Sequence, residues 1–299
     1  MKARLFAAVA VAVMSAAGAA QAQNFSYQPA GTLVTGSGKG RPDEKVYAPN
    51  IRFPIEAGPA FANSQVWGRG GSQGGGGGQC DKENFSYPWH DNYCETRDWD
   101  MPLCPSGQGH QGQDIRAADC TKLKHRVVAV TDGTITSIGS YTVYLTAADG
   151  TRFDYLHMGN VAVKVGQKVK RNDLVGFVSN EFGGEATTVH LHFNIRQNVQ
   201  GVGAVFVPPY HSIIQAYEVL LGIRSAPTED AGVDAAAPAP APPPNNATPP
   251  TTEPPPPPPP DEESSGCTLS PAKGGTTASA LVLLGAFGLL VRRARKRQL

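Results

Sequence analysis

From Val127 to about Val207 the sequence is built of short strand-like runs, and this pattern restricts the fold more than any other feature. "RVVAVTDGTITSIG" and "YTVYLTAADGTRFDYLHM" are rich in β-branched and aromatic residues and are broken at Asp-Gly pairs. Such residues fit a pleated, half-buried surface, while Asp-Gly supplies tight turns. The second run predicts two strands, 141–147 and 151–157, joined across "AADG". "VAVKVGQKVKRNDLVGFVS" continues with short strands and turns, "TTVHLHFNI" closes as an alternating strand, and "HSIIQAYEVLL" predicts a short helix over 211–221. The expectation is one mostly-β domain over residues 65–224, with a single antiparallel sheet.

The flanks differ in kind. Residues 23–64 are weakly patterned and are expected to be a lead-in segment. "GRGGSQGGGGGQC" (68–80) gives the backbone wide freedom and no core of its own, so it predicts a surface loop or, more pointedly, a mobile wall of a groove. Residues 225–265 are Pro-rich, a composition that favours extended polyproline II; at ~3.1 Å per residue such a spacer reaches on the order of 100 Å. Lys2 and Arg4 precede an apolar run, Leu5 to Ala20, and "AQA" at 20–22 follows. Residues 1–22 therefore predict an export signal peptide, with the mature chain starting near Gln23.

The last segment, 266–299, holds Cys267, an apolar stretch at 274–291 and the basic cluster Arg292, Arg293, Arg295, Lys296 and Arg297. Eighteen residues at ~1.5 Å each make ~27 Å, just enough for a transmembrane span. The basic end should stay cytoplasmic and leave the folded domain outside. A formal net charge of +1 in 299 residues predicts no nucleic-acid partner.

Cys80, Cys94, Cys104 and Cys120 lie in one stretch with no Cys-x-x-Cys spacing. In an exported chain they predict two disulfides, of which sequence allows three connectivities. Neighbour pairing is the favoured expectation, because Cys104–Cys120 would staple the loop that carries His110 and Asp114.

That loop, "GHQGQDI", raises a geometric question. On a straight strand, positions four apart lie ~13 Å from each other, and Gly107, Gly109 and Gly112 disfavour a helix. A bend at Gly112 would bring His110 and Asp114 together. In "VHLHF", period two puts His190 and His192 on one strand face, with Val189, Leu191 and Phe193 on the other. His110, Asp114 and one histidine of that pair could supply three ligands for zinc and leave a fourth position for water, the catalytic arrangement. His157 ends a predicted strand, with Tyr155 expected on its face two residues earlier, and could assist that water or the oxyanion. His90, His125 and His211 have no ligand-spaced partners and are expected to be structural or surface residues. Asp154, Glu181 and Glu185 could line the groove.

"HQGQDI", "YLHM" and "VHLHF" together resemble, in order and approximate spacing, the LytM/lysostaphin-like family of zinc metallopeptidases, over roughly residues 65–215. The resemblance implies an open groove in the sheet, one Zn2+ held by His110, Asp114 and His192, and His157 and His190 as catalytic histidines. It implies a zinc-dependent endopeptidase that hydrolyses peptide cross-links of bacterial peptidoglycan by a metal-activated water. The alternative is a non-catalytic wall-binding or amidase-activating module. "RND" at 171–173 and "EFGGEATT" at 181–188 depart from the family's usual turns. The tail, with "GC" at 266–267, resembles the myxobacterial sorting tag, which implies processing at Cys267 and a surface-anchored or secreted envelope protein; a plain membrane anchor is the alternative.

Overall fold

The computed structural model describes residues 24–226. The expected signal peptide, all but the first residues of the Pro-rich linker, Cys267 and the C-terminal span lie outside the described residues. Among the described residues, no helix is long and apolar enough to cross a membrane.

Among the described residues the fold has eleven strands, one α-helix and a 3-10 turn at Lys82–Phe85. The strands and the helix are β1 (Phe61–Ala62), β2 (Gln113–Arg116), β3 (Arg126–Val128), β4 (Gly133–Ile138), β5 (Thr142–Thr146), β6 (Arg152–Leu156), β7 (Met158–Gly159), β8 (Lys168–Val169), β9 (Leu174–Phe182), β10 (Glu185–Val199), β11 (Gly203–Val207) and α1 (Tyr210–Leu220). Every pairing is antiparallel, along the path β1-β2-β10-β6-β5-β4-β8, with β9 joining β10 to β3 and β7, and β11 pairing β10. β5 and β6 form the hairpin read across "AADG", with Thr146 opposite Arg152.

β10 organises the rest. Its first half pairs with β9, ending at His190 opposite Ser179 after a register shift. Its second half runs between β2 and β6, with His192 opposite both Asp114 and Leu156. The strand changes partners within the two residues that carry the histidine pair, so those side chains stand where one pairing gives way to the next. Leu191, Phe193 and Ile195 point the other way and are fully buried. That alternation is what a strand with one core face and one functional face requires.

The segment before residue 65 packs into the same core. Ile51, Phe53 and Ile55 are buried, and their backbone runs beside β3, with Arg52 N donating to Val130 O and Val128 N to Pro54 O. Phe53 packs on Trp89 and on Tyr217 of α1, and Phe25 closes the aromatic cluster. Ala60 N donates to the Tyr217 hydroxyl and Trp89 Nε1 to Ala60 O, so the polar tips of buried aromatics are satisfied by this segment.

The disulfides correct the expected pairing. They join Cys80 to Cys120 and Cys94 to Cys104, not Cys104 to Cys120. Residues 94–95 lie antiparallel to His110, with Cys94 N donating to His110 O and His110 N to Glu95 O, and the tight turn from Met101 to Gly107 brings Cys104 back onto Cys94. Cys120, past the end of β2, meets the end of the glycine run instead. In the chain-entropy picture, loops of 40 and 10 residues restrict the unfolded chain by roughly 4 and roughly 3 kcal/mol. Cys80→Ser/Cys120→Ser is therefore expected to lose more stability in urea unfolding than Cys94→Ser/Cys104→Ser.

Candidate metal centre

Asp114 sits on β2, directly across from His192 on β10. His110 precedes the strand, held by its two backbone hydrogen bonds to residues 94–95. The chain bends at Gly112, as the spacing of His110 and Asp114 demands. A Cβ at Gly112 would come 2.2 Å from Asn194 Oδ1 and 2.3 Å from Phe193 O, so only glycine lets this backbone lie flat on β10. Gly112→Ala must push the two strands apart, and overpacking of this kind typically costs about 1–3 kcal/mol. A lower urea midpoint together with weaker zinc binding is the expected result; a variant with wild-type zinc affinity would separate the bend from the site.

Three histidine nitrogens converge on Asp114. His192 Nδ1 lies 3.0 Å from its Oδ1, and His110 Nε2 and His190 Nε2 each lie 3.4 Å from the same atom. Its Oδ2 accepts from Asn92 Nδ2 at 2.7 Å, and Asp114 N donates to Asn92 Oδ1. Asn92 O in turn accepts from His110 Nδ1, so one fully buried asparagine holds two site residues. Sequence reasoning missed Asn92, and nothing in its local pattern marks it, because the contact spans 22 positions.

His157 lies between β6 and β7 with φ +62°, a left-handed conformation rare for a residue with a Cβ. This twist breaks the expected alternation. Tyr155 faces the core, where Val130 N donates to its hydroxyl and its ring packs on Phe193, whereas His157 turns into the groove. His157 Nδ1 donates to Glu181 O at 2.8 Å, and its ring stacks on Tyr141 and meets Phe182 edge-on. His190 Nδ1 likewise donates to Thr188 O. A proton fixed on Nδ1 leaves Nε2 of each ring as a lone pair.

Charge is shared unevenly. Burial alone would raise the Asp114 carboxyl, but His110 and His190 outweigh it and hold it well below the usual range. Burial pushes His110 down, and Asp114 more than reverses this, so His110 is raised. His192 is lowered by burial and by His110, against Asp114. His157 is pushed down to about 2, by burial first and then by His190 and His192, which keeps it neutral at neutral pH.

These residues floor an open cavity of about 450 Å3, walled by Gln65, Val66, Trp99, Tyr141, Phe182 and Phe206. The glycine run at 68–80 does not line it; Gln79 instead accepts from Val189 N at the edge of β10. Asp154 lines the groove as expected, while Glu181 contributes its backbone carbonyl to His157. His125 pairs with Asp119 and His211 with Glu44, away from the centre.

The ligand atoms of His110, Asp114 and His192 all lie within 4.8 Å of one another, and all three residues are buried. Donors each ~2 Å from one tetrahedral ion stand ~3.3 Å apart, and the spacings of 3.0 and 3.4 Å to Asp114 Oδ1 match that edge. Two imidazoles and one carboxylate on the floor of a groove could hold one metal ion and leave a further position open to the groove.

Residues 108–204, which contain all five site residues, match the sequence model of Peptidase family M23. Comparison with curated proteins gives no match. Among solved structures, the chain is similar to a Ruminococcus gnavus protein named for the glycyl-glycine endopeptidase LytM, at 24% identity over 56% of this chain and 61% of that one, with a TM-score of 0.37. It is similar to the SpoIIQ–SpoIIIAH pore-forming complex at 27% identity, over 33% of this chain and 63% of that one, with a TM-score of 0.28. It is also similar to the catalytic domain of the antimicrobial peptidase lysostaphin from Staphylococcus simulans, at 27% identity over 41% of this chain and 93% of that domain, with a TM-score of 0.30. The chain thus spans just under two thirds of the length of the first two, 61% and 63%.

Proposed function

We propose that this chain is a zinc-dependent endopeptidase that hydrolyses peptide cross-links of bacterial peptidoglycan. The observation that carries the reading is the buried His110–Asp114–His192 cluster on the floor of an open groove, with two further histidines beside it. The match of residues 108–204 to a peptidase family supports a peptide substrate. Peptidoglycan enters through the family resemblance of the three histidine motifs.

His110 Nε2, a carboxylate oxygen of Asp114 and His192 Nδ1 would hold the ion. When bound, zinc supplies Lewis acidity to a scissile carbonyl and lowers the pKa of a water toward ~7. The remaining work belongs to the chain. His157 and His190 each have Nδ1–H tied to a backbone carbonyl, so each offers Nε2 to accept a proton from the attacking water. Once protonated, the same nitrogen can donate to the oxyanion or the leaving amine. Tyr141 and Phe182 clamp the His157 ring and keep that nitrogen aimed into the groove. A non-catalytic wall-binding or amidase-activating module needs none of this apparatus, and the complete set of five residues weighs against it.

Two disulfides suit an oxidising compartment. With the expected N-terminal signal and the Pro-rich spacer they support an exported envelope enzyme, held at its C-terminus or released after processing at Cys267. The test is digestion of defined cross-linked muropeptides by the purified chain, with products weighed by mass spectrometry. New amino and carboxyl termini at one cross-link bond are expected. Binding to peptidoglycan without any cleaved product, with zinc present, would favour the module instead.

A further inference from the structure

Four histidines surround the centre, and their ring nitrogens are not controlled in the same way. His110, His157 and His190 each place Nδ1 on a backbone carbonyl, of Asn92, Glu181 and Thr188 respectively. A carbonyl only accepts, so the proton of each neutral ring sits on Nδ1 and Nε2 faces the centre. His192 is reversed. Its Nδ1 faces Asp114, and its Nε2 meets a side chain, Asn194 Oδ1, at 2.6 Å. If that amide turned over, its NH2 would meet Nε2 and the proton would move to Nδ1, the nitrogen that must be bare to bind a metal.

What stops the amide from turning lies one strand away. Asn194 on β10 stands directly opposite Asp154 on β6, and both side chains face the groove. Asp154 is itself gripped at both oxygens by Arg152, at 2.7 and 2.8 Å. A carboxylate held by a guanidinium can only accept, so the amide side that suits it is Nδ2–H, which leaves Oδ1 facing His192 as observed. Asn194 and Asp154 are each 1% exposed, so little of either side chain is open to solvent. Phe193 on the same strand points to the core, and period two keeps His190, His192 and Asn194 together on the groove face.

We infer that Asn194 is a positioning residue which selects the ring nitrogen of His192 offered to the metal, and that Asp154, clamped by Arg152, sets the orientation of the Asn194 amide. The inference rests on the reading of His192 as a ligand. It assigns Arg152, Asp154 and Asn194 a joint role: an ordered chain of donors and acceptors, each link fixing the next. Groups that orient a metal-binding histidine in this way typically contribute 10–100-fold to metal affinity.

The test uses the full chain labelled with 15N at histidine. Long-range 1H–15N correlation reports which nitrogen of His192 carries the proton, and competition with a chromophoric chelator gives the zinc affinity. In the zinc-loaded wild type, where the ion would occupy Nδ1, Nε2 is expected to carry the proton. Asn194→Leu should weaken zinc binding by about 10–100-fold. Asp154→Asn, which preserves volume but lets the facing amides exchange orientation, should mix the two His192 tautomers and weaken binding less. The double variant Asp154→Asn/Asn194→Asp restores one donor facing one acceptor and should recover most of the lost affinity and the single tautomer. If Asn194→Leu fails to fold, the Asp154→Asn spectrum and affinity decide alone. An Nε2 of His192 without a proton in the zinc-loaded wild type, or variants with wild-type zinc affinity and tautomer, would overturn the inference. A wild type that binds no zinc would instead strike the metal reading.

Discussion

Asp114→Ala is expected to release zinc and to lower peptide-bond cleavage by roughly 10³-fold or more, since the Lewis acidity of a bound ion is worth several kcal/mol and each ~1.4 kcal/mol is a factor of ten. The side chain is the common partner of His110, His190 and His192. Without it, two neutral imidazoles would remain as the only ligands and no charge would balance the ion. The loss should be specific to the centre and not to the fold, though not free of stability cost. Asn92 Nδ2 donates to Asp114 Oδ2, and leaving that buried donor unmatched costs about 1–3 kcal/mol. Elemental analysis of the purified variant, beside its cleavage rate and circular dichroism, reads all three effects. Stoichiometric zinc retained by a folded Asp114→Ala would remove Asp114 from the ligand set.

His157→Ala and His190→Ala should behave in the opposite way, keeping zinc while losing about 10²–10⁴-fold in kcat, the usual worth of a positioned proton-transfer group. His157 makes the sharper case. Its Nδ1 bond to Glu181 O fixes the tautomer, and burial, then His190 and His192, hold it neutral. Alanine keeps a Cβ, so the φ of +62° stays equally unfavourable and the stability change should be small. Zinc content unchanged with kcat collapsed separates catalyst from ligand. Near-normal turnover in His157→Ala would take this histidine out of the mechanism, and zinc lost from His190→Ala would move His190 into the ligand set, where its 3.4 Å approach to Asp114 would then place it.

The parts of this protein that were legible in the sequence are those decided by local periodicity. Alternation in "TTVHLHFNI" put His190 and His192 on one face, and the β5–β6 hairpin followed from "AADG" and its β-branched flanks. The bend at Gly112 was legible because two ligand-type residues four apart permit little else. Extending the same alternation by two positions would have added Asn194 to the histidine face. Other features depend on chain path, which local pattern does not encode. Asn92 reaches Asp114 only after a fold of 22 residues, and the disulfides follow the route of residues 94–110 instead of nearness in sequence. Tyr155 was assigned to the face of His157 because period two was carried through a residue whose left-handed φ ends it. The weak pattern before residue 65 concealed Ile51, Phe53 and Ile55, buried beside β3 without a long regular strand of their own.

The central claim is that His110, Asp114 and His192 together hold one zinc ion. Anomalous diffraction at the zinc edge, from crystals of the protein supplied with zinc, tests it most directly. The account predicts a single strong peak ~2.0–2.2 Å from His110 Nε2, from a carboxylate oxygen of Asp114 and from His192 Nδ1, absent in Asp114→Ala. A peak bound through His192 Nε2, a peak elsewhere in the chain, or no peak at saturating zinc would contradict it.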